Sequence, residues 1–125
     1  MFIAFVTTVM TGVPVPSCRS GRVARARATS LVLAQLSLDW AILGVNALDS
    51  RNGATAHHEG EASINRLMAT RAAQVMIVAD RSKLGQRAFA RVCAMDEIDV
   101  IVTDRDARPD LLAAFTERGI HVVTA

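Results

Sequence analysis

Lysine is almost absent from this 125-residue chain: of its 14 lysine and arginine residues, Lys83 alone is a lysine. Exchanging a surface lysine for arginine costs little, because a solvated ammonium and a solvated guanidinium do similar work. A compact ammonium beside an anion is harder to replace. Lys83 therefore has two readings, as the cation that meets a phosphate or carboxylate and as the one surface lysine left over. Cysteine is also scarce. Cys18 and Cys93 have no metal-ligand spacing, and nothing else points to an oxidising compartment, so both read as free thiols in a cytoplasmic protein. No apolar stretch free of charge and turn residues reaches the length needed to cross a bilayer.

Other absences narrow the chemistry. The apolar opening MFIAFVTTVMTGVPVPSC has no Lys or Arg ahead of it and is broken by Gly12, Pro14 and Pro16, so a strand running into a loop is expected there, not a secretory leader. No acid precedes Asp39, whereas CRSGRVARARATS holds Arg19, Arg22, Arg25 and Arg27. Four arginines without interleaved aromatics or a binding motif fit a solvated face better than a nucleic-acid contact. No Ser-His-Asp set, no GxGxxG and no GxxxxGK(S/T) is present, which removes the usual grounds for a hydrolase, a dinucleotide enzyme or a P-loop protein. His57 and His58 are neighbours that face opposite ways on an extended segment, so no metal site is expected.

What remains is the alternation of one globular domain. Residues 23–37 are expected to be a helix, and DWAILGVNAL a short apolar strand ending near Gly44. The polar stretch DSRNGATAHHEG then reads as a lid or binding loop, or equally as an inert surface loop. From Glu61 to Ala73 apolar residues fall at helical spacing, with an acid in the first turn and Arg71 in the last. QVMIVAD and DVIVTD are apolar on both faces, as parallel strands covered from both sides are. Between them KLGQRAFARVCAMDEI is expected to be a helical or mixed crossover. A helix from Pro109 to Gly119 and a strand at 120–124 close the chain. The fold class is α/β, with a largely parallel sheet and helices on both faces.

In such sheets ligands bind beyond the carboxyl ends of strands. Asn46, Asp80 and Asp104 fall at three of those ends. An aspartate there also serves as the N-cap of the next helix. Ser82 and Lys83 would add a hydroxyl, backbone N–H groups and an ammonium at a helix start, a combination that suits an anion. Spacing alone leads to a small-anion-binding α/β domain.

The blocks LDWAILGVNALDSRNGAT, E-A-x-x-N-R-L-M, VMIVADRSKLGQRAF and IDVIVTD, in that order, resemble the C-terminal sensor domain of DeoR-family bacterial transcriptional regulators. The resemblance runs from about residue 38 to the end; residues 1–30 match poorly, and 31–125 correspond to the C-terminal part of the sensor domain. It implies a fold similar to ribose-5-phosphate isomerase and glucosamine-6-phosphate deaminase, incomplete at its N-terminus, that senses a phosphorylated sugar or related metabolite without turning it over. Carried over by motif, the ligand-binding residues would be Asp39, Gly44 and Asn46 in the first block, Gly53 and Thr55 in the loop, and Asp80, Ser82, Lys83 and Gly85 in the second. No cofactor or metal is implied.

The family's N-terminal helix-turn-helix and its earlier glycine- and threonine-rich loop have no counterpart here, so no direct DNA binding is expected. Action through a full-length regulator, or self-association, would take its place. Two alternatives stand beside the sensor. One is a sugar-phosphate isomerase or deaminase-like enzyme with Asp80 or Asp39 as general base, although DWAILG replaces the "DGADE"-type block of those enzymes. The other is a non-functional gene fragment.

Overall fold

The computed structural model of the chain describes the backbone of residues 3–6 and all of residues 35–125. The arginine-rich segment lies outside the described residues, and so does the expected helix over 23–37 apart from positions 35–37, which are not helical. In chain order the elements are β1 (Ile3–Val6), β2 (Leu38–Gly44), β3 (Ala47–Asp49), β4 (Gly53–Ala56), α1 (Glu59–Arg71), β5 (Ala72–Val78), β6 (Ala90–Cys93), β7 (Val100–Thr103), α2 (Pro109–Glu117) and β8 (His121–Thr124). Two single 3₁₀ turns, Arg81–Lys83 and Met95–Glu97, flank β6.

β1, β2, β5, β7 and β8 form one sheet in that order, every neighbouring pair parallel. The expected α/β fold with a largely parallel sheet is therefore what the chain forms. Its strands alternate cleanly: Ala41 and Leu43 of β2 stand in register with Val75 and Ile77 of β5, Ile77 with Ile101 of β7, and all of these are buried in a single core with Met68 of α1 and Phe115 of α2. The opposite face, with Trp40, Ile42, Met76, Val100 and Val102, is only half-buried, and Val78 and Val123 are exposed. Both described helices pack on one face; helices on both faces were expected, and the one expected over 23–37 lies outside the described residues apart from positions 35–37. The strands β2, β5, β7 and β8 are laid down in a single direction across the sheet, and right-handed crossovers then bring each connection over the same side.

A second, three-stranded sheet in the order β3-β4-β6 is antiparallel. It corrects two expectations. The stretch read as a loop is a hairpin whose returning strand, Gly53–Ala56, is buried throughout, because its small side chains let β4 lie in the middle of the sheet. The crossover over 83–98 contains no α-helix. Ala88, Ala90 and Val92 are buried while Arg87, Phe89 and Arg91 are exposed, a period of two that belongs to a strand and not to a helix. α1 covers this small sheet. The Arg66 guanidinium donates to the carbonyl of Arg91 and so satisfies an acceptor on the free edge of β6.

Candidate functional site

Parallel strands bring their carboxyl ends to one edge, and β5, β7 and β8 make a cleft of about 590 Å³ there, lined by Asp80, Arg81, Ser82, Asp104, Arg105 and Asp106 with Ala125. Asp80 follows β5 by two residues and Asp104 follows β7 directly. The 3₁₀ turn after Asp80 is capped by that aspartate: its Oδ1 accepts from the Ser82 backbone N–H at 2.9 Å and from the Ser82 hydroxyl, and Lys83 Nζ stands 3.6 Å from Oδ2. The Ser82 hydroxyl, against the opposing effect of burial and helped by the Ser82 backbone N–H and then the Lys83 charge, holds the Asp80 carboxyl below the usual aspartate value. Asp104 Oδ2 accepts from the Arg81 N–H at 2.7 Å, which ties the two strand ends together, and the Arg81 guanidinium reaches Asp106 at 3.3 Å.

Asp80 and Ser82 thus line the cleft, with Lys83 bound to it through Asp80. The turn expected to cradle an external anion is occupied by the chain's own carboxylate. Arg81, Arg105 and Asp106 were missed by the motif reading, although each stands within two residues of an aspartate placed at a strand end.

The other motif residues lie elsewhere. Asp39 is the second residue of β2, at the amino end of the sheet, so roughly 17 Å of strand at about 3.3 Å per residue separates it from the carboxyl end. Gly44 ends β2 with open space where a Cβ would stand. Asn46 is a brace: its N–H donates to Thr55 O and its Oδ1 accepts from His57 N, both across the hairpin. Gly85 N–H donates to Leu48 O at 2.8 Å and anchors the 3₁₀ turn to β3.

Gly53 and Thr55 belong to the hairpin, and Thr55 lines a second pocket of about 340 Å³ together with Asn52, Arg87, Ala88, Phe89 and Arg91. The floor of that pocket is fixed by Ala88 N–H donating to Thr55 Oγ1 at 2.9 Å. Thr55 and Arg91 are direct partners across β4 and β6, so their side chains rise from the same face. Phe89 is 85% exposed beside them. Among the described residues no group of three or more His, Cys, Asp or Glu side chains is placed to hold a metal ion, and no helix is long and apolar enough to cross a membrane.

Residues 8–105 match the family model described as the DeoR C terminal sensor domain. The chain is similar to the HTH-type transcriptional regulator GlpR of Haloferax volcanii, 40% identical over 87 residues, which is 70% of this chain and 34% of that protein. It is 38% identical over 73 residues to the HTH-type transcriptional repressor GlcR of Bacillus subtilis, covering 58% of this chain and 28% of that one. Similarity to the glycerol-3-phosphate regulon repressor of Escherichia coli is 26% over 95 residues, 76% of this chain and 38% of that protein. The chain spans about a third of the length of these curated relatives. With its parallel sheet and strand-end cleft, and with a family match over most of its length, the chain belongs to the DeoR C-terminal sensor domain family.

Proposed function

We propose that the chain is the effector-sensing part of a DeoR-type transcriptional regulator and that it reads a phosphorylated sugar or a related phosphorylated metabolite in the cytoplasm. The observation that carries this is the cleft at the carboxyl ends of β5, β7 and β8, which sets three aspartates among two arginines. Carboxylates accept hydrogen bonds from the hydroxyls of a polyol, and guanidinium groups donate to its phosphate. Asp80, Asp104 and Asp106 would take the first role. Arg105, which has no carboxylate partner among the described residues, would take the second. That one relative is named a glycerol-3-phosphate regulon repressor supports a phosphorylated ligand.

Binding without turnover fits the same geometry. A general base works best with a pKa near the operating pH, and the Asp80 carboxyl is instead held low by Ser82, which makes it a weak base. Transcriptional control would then pass through other parts of a longer regulator, or through an associated copy that carries the DNA contact.

The test is a thermal melt of the chain against a panel of sugar phosphates, glycerol 3-phosphate and the matching unphosphorylated compounds. A ligand at a hundred times its Kd adds about 2.7 kcal/mol to the folded state and must raise the transition. A rise with one phosphorylated compound, absent for its unphosphorylated form and reduced in Asp104→Asn, is expected. An equal rise with the unphosphorylated form would remove phosphate from the proposal, and catalytic turnover of the panel would replace the sensor with an enzyme.

A further inference from the structure

We propose that the pocket between the β3–β4 hairpin and the segment entering β6 is an anion-binding site, with Arg87 and Arg91 holding a small phosphorylated metabolite and Phe89 covering its uncharged part. This goes beyond the sensing of a sugar in the strand-end cleft, with which the pocket shares no residue.

Charge separates the two places. The strand-end cleft holds Asp80, Asp104 and Asp106 against Arg81 and Arg105, so its lining is net negative; Arg81 is already paired with Asp106 and Lys83 with Asp80. The second pocket is lined by two arginines and no acid. Neither guanidinium has a carboxylate partner among the described residues. Two unneutralised guanidinium groups facing one opening repel each other, and a dianion between them relieves that repulsion while taking forked hydrogen bonds from both.

Four further features point the same way. Arg87, Phe89 and Arg91 alternate with the buried Ala88, Ala90 and Val92 from the irregular residues 87–88 through the bend at Phe89 into β6, and all three exposed side chains line the pocket. Thr55 is 4% exposed, and its Oγ1 accepts from Ala88 N–H while its own hydroxyl hydrogen has no acceptor among the described residues. A buried hydroxyl on the wall of a pocket can turn its hydrogen to an acceptor there, which a phosphate oxygen supplies. Phe89, at 85% exposure, is the most exposed large apolar side chain among the described residues, and it offers a flat surface to the body of a bound molecule. A volume of 340 Å³ lies at the small end of ligand sites, fitting a metabolite and not a chain segment.

The test titrates inorganic phosphate into the full chain at constant ionic strength, followed by calorimetry and by amide NMR shifts. Saturable shifts at residues 52–55 and 87–91 are expected. Arg87→Ala with Arg91→Ala should weaken phosphate on the order of tenfold or more, since each removes charge-assisted hydrogen bonds. The double exchange to lysine, which keeps the charges and loses the forks, should fall between. Arg71→Ala and Arg118→Ala, exposed arginines that line neither pocket, should stay within about twofold of the parent, because separated sites act independently. Phe89→Ala should leave inorganic phosphate unaffected and weaken phenyl phosphate. All variants alter exposed side chains, and an unchanged melt without phosphate establishes that they fold.

The proposal is overturned if the parent shows no saturable phosphate binding, if chloride competes equally, or if Lys83→Ala or Arg105→Ala abolishes binding while the arginine pair can be removed without loss. Loss of inorganic phosphate binding in the arginine-pair variant, with a sugar-phosphate melt shift that persists, is the expected pattern, because the two pockets share no residue.

Discussion

Replacing Gly53 by alanine tests the junction between the hairpin and β6. Gly53 has φ +78° at the start of β4, one residue past the three-residue turn at 50–52, where a left-handed residue lets the chain reverse. A Cβ built there would stand 2.2 Å from the Cys93 carbonyl oxygen and 3.0 Å from Ala94 Cα. The left-handed conformation itself costs a non-glycine residue about 1–2 kcal/mol. Relieving the contact requires a backbone carbonyl of β6 to retreat by roughly 0.8 Å, and overpacking of this kind typically adds about 1–3 kcal/mol.

Gly119 separates the two effects, since its φ is +82° but nothing lies within 4 Å of its Cβ position. Gly119→Ala should therefore lose only about 1–2 kcal/mol, whereas Gly53→Ala should lose about 2–5 kcal/mol. At several degrees per kcal/mol for a domain of this size, Gly53→Ala should lower Tm by on the order of 10 °C or more. Urea denaturation of the two variants beside the parent measures the difference. Equal losses would refute the collision and show that β6 moves away freely.

Three other outcomes follow from single groups. Ser82→Ala should move the Asp80 titration midpoint up toward the ordinary 3.8, as read by carboxyl NMR, because the Ser82 hydroxyl is the largest cause of its depression; the stabilisation from that depression is present above 3.8 and is lost as pH falls through the folded value. An unmoved midpoint would remove Ser82 as the cause. Burial raises the Cys93 thiol from 9.0 to about 12, so alkylation mapped by mass spectrometry at pH 8 should spare Cys93 in the folded chain and label it in urea. Between 9 and 12 the unfolded chain releases that proton first, and stability should fall as pH rises; rapid labelling of the folded chain would contradict the burial. Asn65 is 1% exposed, and both atoms of its amide lack partners among the described residues, so Asn65→Leu should be neutral or stabilise by about 1–2 kcal/mol. A loss greater than about 1 kcal/mol in the same urea assay would mean that the amide is satisfied in solution.

Local pattern carried much of the architecture. QVMIVAD and DVIVTD read as parallel strands because continuous apolar character has few other uses, and β5 and β7 lie there in register. The last helix was bounded by Pro109 and Gly119, whose backbone preferences act within one turn, and α2 spans Pro109–Glu117. Asp80 and Asp104 could be placed at strand ends, since position along a strand follows from its length. The motif blocks themselves were enough to suggest the family to which the chain belongs.

What sequence could not decide were relations between distant segments. KLGQRAFARVCAMDEI has small and apolar residues compatible with either period, and pairing of Thr55 with Arg91 and Ala56 with Ala90 made it a strand. The polar look of DSRNGATAHHEG concealed that GATA would be enclosed by β3, β6 and α1. Which face the helices cover follows from strand order across the sheet, a property no single segment contains. Motif reading put Asp39 with Asp80, yet they stand at opposite ends of parallel strands. The arginines at 81 and 105 entered the cleft only when β5 and β7 came side by side. Periodicity and punctuation act through neighbours along the chain and are written locally. Sites are made where separated segments meet, and that meeting is settled by packing in three dimensions.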